Sequence, residues 1–353
     1  MTEKFKIMII DDSTIIRNLL RDVLSQNSDM EVISVASNGL LALPRIKFYE
    51  PDIIILDYEM PQMNGIETLK EIKKMQLKTK VIMFSAFTAE GAKITIEALE
   101  NGAVDFLQKP VFEKGSEPKQ YIQETLVPKI KALLGHVAVS TRTSRPTKKE
   151  IPGKYYVPLP GSFDFCIIGI STGGPMALKE MFANIPESIN GSIFVTQHMP
   201  PAFTKYLALS LNKNSKLTIV EAEDGMESKP GWVYIAPGGK HMLAEKIPGA
   251  GVRIKIDNSP HYKNCKPSVN LMFKSFVDIR PAKTISVIMT GMGDDGYESM
   301  KELEKAGSYL LAQNEESCLI FGMPAKPSQD NIIHESYNLD GLAKNITSLL
   351  GVL

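Results

Sequence analysis

Short apolar runs separated by helix-spaced stretches dominate the first ~135 residues, a length usual for one domain. FKIMII (5–10) is followed from Ser13 by Ile15, Ile16, Leu19, Leu20, Val23 and Leu24, the recurrence of one buried helix face. EVISVA (31–36), DIIILD (52–57) and KVIMFSA (80–86) are strand-like, and DIIILD is apolar almost throughout, as a strand covered on both faces should be. A helix is predicted from Ala89 to Asn101 with Gly102 as its stop, then a fifth strand in AVDFL (103–107) and a last helix over 120–134. This alternation predicts a doubly wound parallel sheet. Pro44 conflicts with it: mid-helix proline costs ~3 kcal/mol, so the second helix is expected to kink or end early.

The pattern breaks over 136–162, rich in Ser, Thr, Pro, Lys and Arg and without periodicity, which reads as a linker. A second alternation follows. FDFCIIGI (163–170), SIFVTQ (192–197) and TISVIMT (284–290) are buried-strand candidates, with helices at Met176–Phe182, 203–212 and Tyr297–Lys305. LTIVEA, GWVYIAP and VRIKID suggest further strands, some in hairpins. The expected fold class is α/β: two doubly wound, mostly parallel α/β domains, 1–135 and 163–353, joined by the linker.

Composition narrows the function. The 353 residues are 43% hydrophobic and 23% charged, with 40 basic and 40 acidic side chains, so whole-chain charge favours neither nucleic acid nor a membrane surface. No helix-turn-helix with a basic face follows the linker. Three cysteines without a CxxC pair argue against a disulfide framework or structural zinc. No apolar run suits a signal peptide or a membrane span, so a cytoplasmic location is expected.

Chemistry gathers at the carboxyl ends of strands, where parallel sheets collect ligands. In the first domain these positions hold Asp11 and Asp12, Asp57, Ser85 and Lys109. Three converging carboxylates repel one another unless a cation is present, and oxygen-only ligation suits a hard ion such as Mg²⁺. A carboxylate beside that ion can attack a phosphoryl group, with Ser85 and Lys109 holding the product. The competing reading, strand-end aspartates as helix caps, suits Asp12 alone better than the whole set.

In the second domain, IIGISTGGP (167–175) runs from strand to helix through a small-residue turn with Ser171 at its centre. Gly169, Ser171 and Gly173 make the G-x-S-x-G of a nucleophile elbow, although a helix start serves a phosphate equally well. The base is read as His198, at the end of SIFVTQ, with His241 a weaker competitor. Asp294 and Asp295 follow another apolar strand, and either could orient the imidazole. Two other classes compete: a partner-docking module, and a phosphate- or nucleotide-binding transferase. Against the transferase, neither GK[ST] nor GxGxxG follows the strand.

IIDDS (9–13), LDYEMPQMNGIETL (56–69), FSA (84–86) and AVDFLQKP (103–110) resemble the receiver domain of two-component response regulators. The resemblance implies phosphorylation of Asp57 by a chemotaxis histidine kinase, and Mg²⁺ bound by Asp11 or Asp12, by Asp57 and by the carbonyl of Glu59. It makes Phe106 the aromatic switch residue, beside Ser85 and Lys109. Asn64 stands where that family often has Asp, in a turn that accepts either.

GISTGGP, VTQHMPPAFTKYLA, IAPGGKHM, KPSVNLMF, TGMGDDG and AQNEESCLIFGMP resemble the chemoreceptor glutamate methylesterases of bacterial chemotaxis. That resemblance implies Ser171 as nucleophile, His198 as base and Asp295 rather than Asp294 as third partner, with backbone amides near Thr172 and Met292 as the oxyanion hole. It implies methylated glutamates on the cytoplasmic domains of chemoreceptors as substrate, with deamidation of receptor glutamine in some relatives, and no cofactor at the esterase site. Asn270 departs from the family's Asp in PSVD; lying outside the triad, it is expected to bear on substrate contacts. The polar linker beside a complete phosphoacceptor pocket leads us to expect an unphosphorylated receiver that blocks the esterase.

Overall fold

In the computed structural model, residues 4–86, 88–110, 112, 115–135, 158–249 and 251–352 are described, so most of the expected linker lies outside the described residues. The chain divides into two compact units. In the amino-terminal unit the elements are β1 (Phe5–Ile10), α1 (Thr14–Leu24), β2 (Met30–Ala36), α2 (Gly39–Tyr49), β3 (Ile53–Asp57), α3 (Gly65–Lys74), β4 (Lys80–Ser85), α4 (Ala89–Glu100), β5 (Asp105–Gln108) and α5 (Pro118–Leu134).

The five strands pair in parallel in the order β2-β1-β3-β4-β5. All five residues of β3 are buried, matching the unbroken apolar run that predicted it. Short polar side chains set the helix starts: Ser13, Asn38 and Thr88 each accept a backbone N–H of the following turn. Asn64 begins α3 in a reciprocal capping box with Glu67, so the departure from the receiver pattern at this position serves as a helix cap.

The expectation at Pro44 is corrected in one respect. Helix α2 does not end early but runs past Pro44 to Tyr49, where Glu50 stops it in the left-handed region at φ 42°. The missing proline N–H removes one bond, to the carbonyl of Leu40, and both residues lie on the exposed face where water can replace it.

Beyond the expected linker the chain forms β6 (Phe165–Ile170), α6 (Gly174–Ala183), β7 (Ser192–Gln197), α7 (Phe203–Lys213), β8 (Thr218–Glu221), β9 (Trp232–Ile235), β10 (His241–Lys246) and β11 (Val252–Asp257). It continues through α8 (Val269–Val277), β12 (Thr284–Ile288), α9 (Tyr297–Lys305), β13 (Tyr309–Gln313), α10 (Ala325–Gln329), β14 (Glu335–Tyr337) and α11 (Leu339–Leu350). Seven strands pair in the order β14-β13-β12-β6-β7-β9-β8, all in parallel. The hairpin expected in this region is β10–β11, antiparallel and separate from the main sheet; β8 and β9 are parallel neighbours within it.

The core of this unit packs Phe165 and Phe194 of the sheet against Met272, Phe273 and Phe276 of α8. No helix among the described residues is long and apolar enough to cross a membrane. Helix α8 lies close over β6: a Cβ at Gly169 would fall 2.3 Å from Val269 Cγ1. Gly169→Ala should therefore force overpacking and destabilise the unit by about 1–3 kcal/mol, read as a lower urea midpoint with unchanged slope.

Candidate functional site

Both sheets reverse strand order at a point where chemistry-bearing side chains emerge. In the carboxy-terminal sheet β6 lies between β12 and β7, and the chain leaves β6 toward β7 and returns later to β12 on the other side. The crevice at such a reversal is where open α/β sheets bind ligands. Ser171 follows β6, His198 follows β7, and the loop after β12 carries Asp294 and Asp295.

The backbone fixes these positions before any side chain contributes. His198 donates its N–H to the Ile170 carbonyl (3.2 Å), and Ser171 donates its own to Thr290 (3.0 Å). The buried Gln197 side-chain amide adds to this by donating to the Ser171 carbonyl (2.9 Å). Gly291 approaches so closely that a Cβ there would sit 2.7 Å from Ser171 Cβ. Gly173, at φ 80°, turns the chain from the serine into α6.

His198 Nε2 lies 2.8 Å from Asp295 Oδ2. Asp295 is 6% exposed and is held at the start of α8. Its Oδ1 accepts from Ser268 Oγ (3.0 Å) and Asn270 N (3.0 Å), and its Oδ2 accepts from Val269 N (2.7 Å). Asp294 is exposed and faces Lys326 at 3.4 Å, so the structure brings Asp295, not its neighbour, to the imidazole. No hydrogen bond joins Ser171 Oγ to the ring among the described residues; nucleophile–base contacts are commonly looser before substrate binds.

Burial opposes charge on the His198 ring, but the Asp295 carboxylate and the Cys265 thiol beside it outweigh burial and raise the pKa to about 9. For Asp295, burial favours the neutral acid; His198 and the amides of α8 prevail and hold the carboxyl below its ordinary range.

Three residues take roles that sequence reasoning missed or misassigned. His241 is fully buried, with Nδ1 accepting the Ser268 N–H (3.2 Å) and Nε2 bonded to the Pro260 carbonyl (3.1 Å), so it supports Ser268 and is unsuited as a base. Asn270 is 2% exposed and corrects the expectation about substrate contacts: its Oδ1 accepts Ser299 N in α9, and its backbone carbonyl accepts Ser299 Oγ. Gln313, in the AQNEES motif, accepts the Thr290 N–H (2.9 Å) and so steadies the residue that binds Ser171. Thr172 is buried immediately after Ser171, whereas Met292 is 39% exposed in the loop after Gly291.

In the amino-terminal unit the sheet order reverses between β1 and β3; Asp11 directly follows β1 and Asp57 ends β3. Lys109 Nζ bridges them, at 2.9 Å from Asp11 Oδ2 and 2.7 Å from Asp57 Oδ2. Ser13 N and Tyr58 N donate to the remaining Oδ1 atoms, and Lys109 N donates to the Ser85 carbonyl. A cavity of about 100 Å³ opens here, lined by Asp12, Asp57, Glu59, Ser85 and Lys109 among others. Phe106, on β5, is buried.

Burial, then the charge of Asp11, push Asp57 up to about 7 against the opposing pull of Lys109. Burial likewise raises Asp11. Carboxylate oxygens of Asp11, Asp12 and Asp57 come within 4.8 Å of one another. An all-oxygen donor set in which burial raises Asp11 and Asp57 fits a hard divalent cation.

The CheB methylesterase family profile matches residues 166–346, and the response regulator receiver domain profile matches 7–116. The chain belongs to the CheB methylesterase family. It is 39% identical over 367 residues to a protein-glutamate methylesterase/protein-glutamine glutaminase of Treponema denticola, covering 98% of each chain. The Thermotoga maritima protein of the same name is 40% identical over 345 residues, covering 96% of this chain and 95% of that one. The solved catalytic domain of Thermotoga maritima CheB methylesterase superposes with a TM-score of 0.51 at 38% identity, covering 52% of this chain and 97% of that domain. The chain is accordingly a carboxylic ester hydrolase of the chemotaxis methylesterase class, carrying a response-regulator receiver.

To take a proton in the role proposed below, the His198 ring has to be neutral, and its pKa is raised to about 9. Ester cleavage should therefore rise with pH up to about 9. Asp295→Asn removes the anion that favours the cationic ring, so the limb should move to lower pH while the plateau falls by about 10²–10⁴-fold. A pH–kcat profile of both proteins checks this.

Proposed function

We propose that Ser171 is the nucleophile of an esterase that removes methyl groups from γ-glutamyl methyl esters on chemoreceptor cytoplasmic domains, with His198 as base and Asp295 as its orienting anion. The observation carrying this reading is the emergence of the three residues from adjacent strands β6, β7 and β12, with the imidazole fixed on a helix-capped carboxylate. His198 takes the Ser171 proton as the hydroxyl attacks the ester carbonyl. Its charged form is stabilised by Asp295, and it returns the proton to the leaving methanol. Water then hydrolyses the acyl-enzyme by the same route in reverse.

Backbone amides at Thr172, in the turn just before α6, and at Met292, after the close approach of Gly291 to Ser171, are the proposed donors to the tetrahedral oxyanion. With ammonia in place of methanol as leaving group, the same steps deamidate a receptor glutamine. The esterase site needs no cofactor for these steps. The reaction takes place in the cytoplasm, with no nucleic-acid partner and no insertion into the membrane.

The receiver acts as the control element. Asp57 is the phosphoacceptor, a chemotaxis histidine kinase the donor, and phosphorylation relieves inhibition of the esterase. Asp11, Asp12, Asp57 and the Glu59 carbonyl would hold Mg²⁺, which supplies charge stabilisation to the transferring phosphoryl group when bound. Lys109, already on the Asp57 carboxylate, then pairs with the phosphoryl oxygens, with Ser85 beside them, and Phe106 is the residue proposed to change state.

Methanol release from methylated receptor membranes tests both halves. Ser171→Ala should lose the activity by about 10³-fold or more. Asp57→Asn should keep the unstimulated rate and lose the response to a small phosphodonor with Mg²⁺. Methanol release undiminished in Ser171→Ala, or phosphodonor stimulation surviving in Asp57→Asn, would overturn the corresponding half.

A further inference from the structure

The esterase chemistry has no use for Cys265, yet that side chain is firmly placed beside it. Tyr262 and Cys265 exchange both backbone hydrogen bonds, at 3.0 and 2.9 Å, across a two-residue loop whose Lys263 and Asn264 have φ of 47° and 66°. Positive φ at both central residues closes a tight hairpin. Its tip is tied to α9, where Glu298 accepts from the Tyr262 hydroxyl (3.0 Å) and pairs with the Lys263 ammonium (2.6 Å). From this hairpin the free, partly exposed Cys265 thiol reaches His198 and Asp295, and donor atoms of the three residues lie within 4.8 Å of one another.

Sulfur and imidazole nitrogen form a softer donor set than the all-oxygen pocket of the receiver, and thiolate with imidazole suits Zn²⁺ rather than Mg²⁺. Zn–S and Zn–N bonds of about 2.3 and 2.0 Å set the two donors of a tetrahedral ion roughly 3.5 Å apart, and the donor atoms here lie no more than 4.8 Å from one another. Each Asp295 oxygen already accepts two hydrogen bonds, so this carboxylate is placed to orient and polarise a metal-bound imidazole from behind.

We propose that Cys265 and His198 form an inhibitory site for a thiophilic divalent cation, with Zn²⁺ as the type. On binding, the thiol proton and the proton on the His198 ring nitrogen that takes the ion both leave to solvent, a metal–sulfur bond forms, and the freed ring lone pair binds the ion. The imidazole can then no longer receive the Ser171 proton. The inhibitory consequence rests on the esterase reading above; the binding does not.

The test uses the full chain in a non-thiol reductant, with Co²⁺ as the spectroscopic probe and Zn²⁺ as competitor. A near-ultraviolet thiolate-to-Co²⁺ charge-transfer band is expected, displaced by Zn²⁺. Methanol release should be lost at saturating Zn²⁺ and restored by a chelator. Cys265→Ser should lack the band. Relative to its own metal-free rate, it should keep its activity at the Zn²⁺ concentration that half-inhibits the unsubstituted chain. No band in the unsubstituted chain, a band persisting in Cys265→Ser, or equal Zn²⁺ inhibition of both would overturn the site. A Cys265-dependent band in a chain that releases no methanol in any form would support the cation site and sink the esterase reading instead.

Discussion

The seat of Asp295 at the start of α8 is the contact on which the rest of the esterase site depends. A carboxylate that is 6% exposed would ordinarily be driven toward its neutral acid. Here Val269 N and Asn270 N point into it from the first turn of a helix, and the Ser268 hydroxyl adds a third donor. Hydrogen bonds to a charged group contribute about 1.5–3 kcal/mol each, and a helix N-terminus favours an anion further. The anion is therefore stabilised in place, and its remaining capacity is turned on His198. The same contact ties the loop after β12 to α8, which packs over β6, so the histidine's partner and the serine's strand share one rigid support.

Support extends outward by hydrogen bonds that end on backbone. His241 holds Ser268, Gln313 holds Thr290, and Gln197 holds the Ser171 carbonyl. Residues that touch no reacting atom thereby place the ones proposed to do so, as precise catalytic geometry requires. The receiver solves a related problem with different chemistry. Two strand-end carboxylates are buried beside one ammonium, and burial with the charge of Asp11 pushes Asp57 up to about 7 against the pull of Lys109.

Much of this was legible in the sequence because period and strand ends carry it. Runs such as DIIILD and TISVIMT announced strands covered on both faces, and the polar residues just after them announced both sites. Pattern could not separate Asp294 from Asp295, because adjacent residues in one loop differ only in the direction their side chains take. The structure separates them by burial and by Lys326. His241 and Asn270 misled for a similar reason: a polar side chain in a motif reads as chemistry, while its use as a buried brace depends on contacts from distant segments. Cys265 carried no signal at all, since its approach to His198 is made by a hairpin far along the chain.

Activation of Ser171 through His198 by the carboxylate at the start of α8 should show in the rate at which a small fluorophosphonate labels the chain, followed by intact and peptide mass spectrometry. A single phosphonyl adduct on Ser171 is expected, formed about 10²-fold or more slowly when Asp295 is replaced by Asn and the fold is retained. Labelling at another residue, or an adduct on Ser171 that forms equally fast without the Asp295 carboxylate, would contradict it.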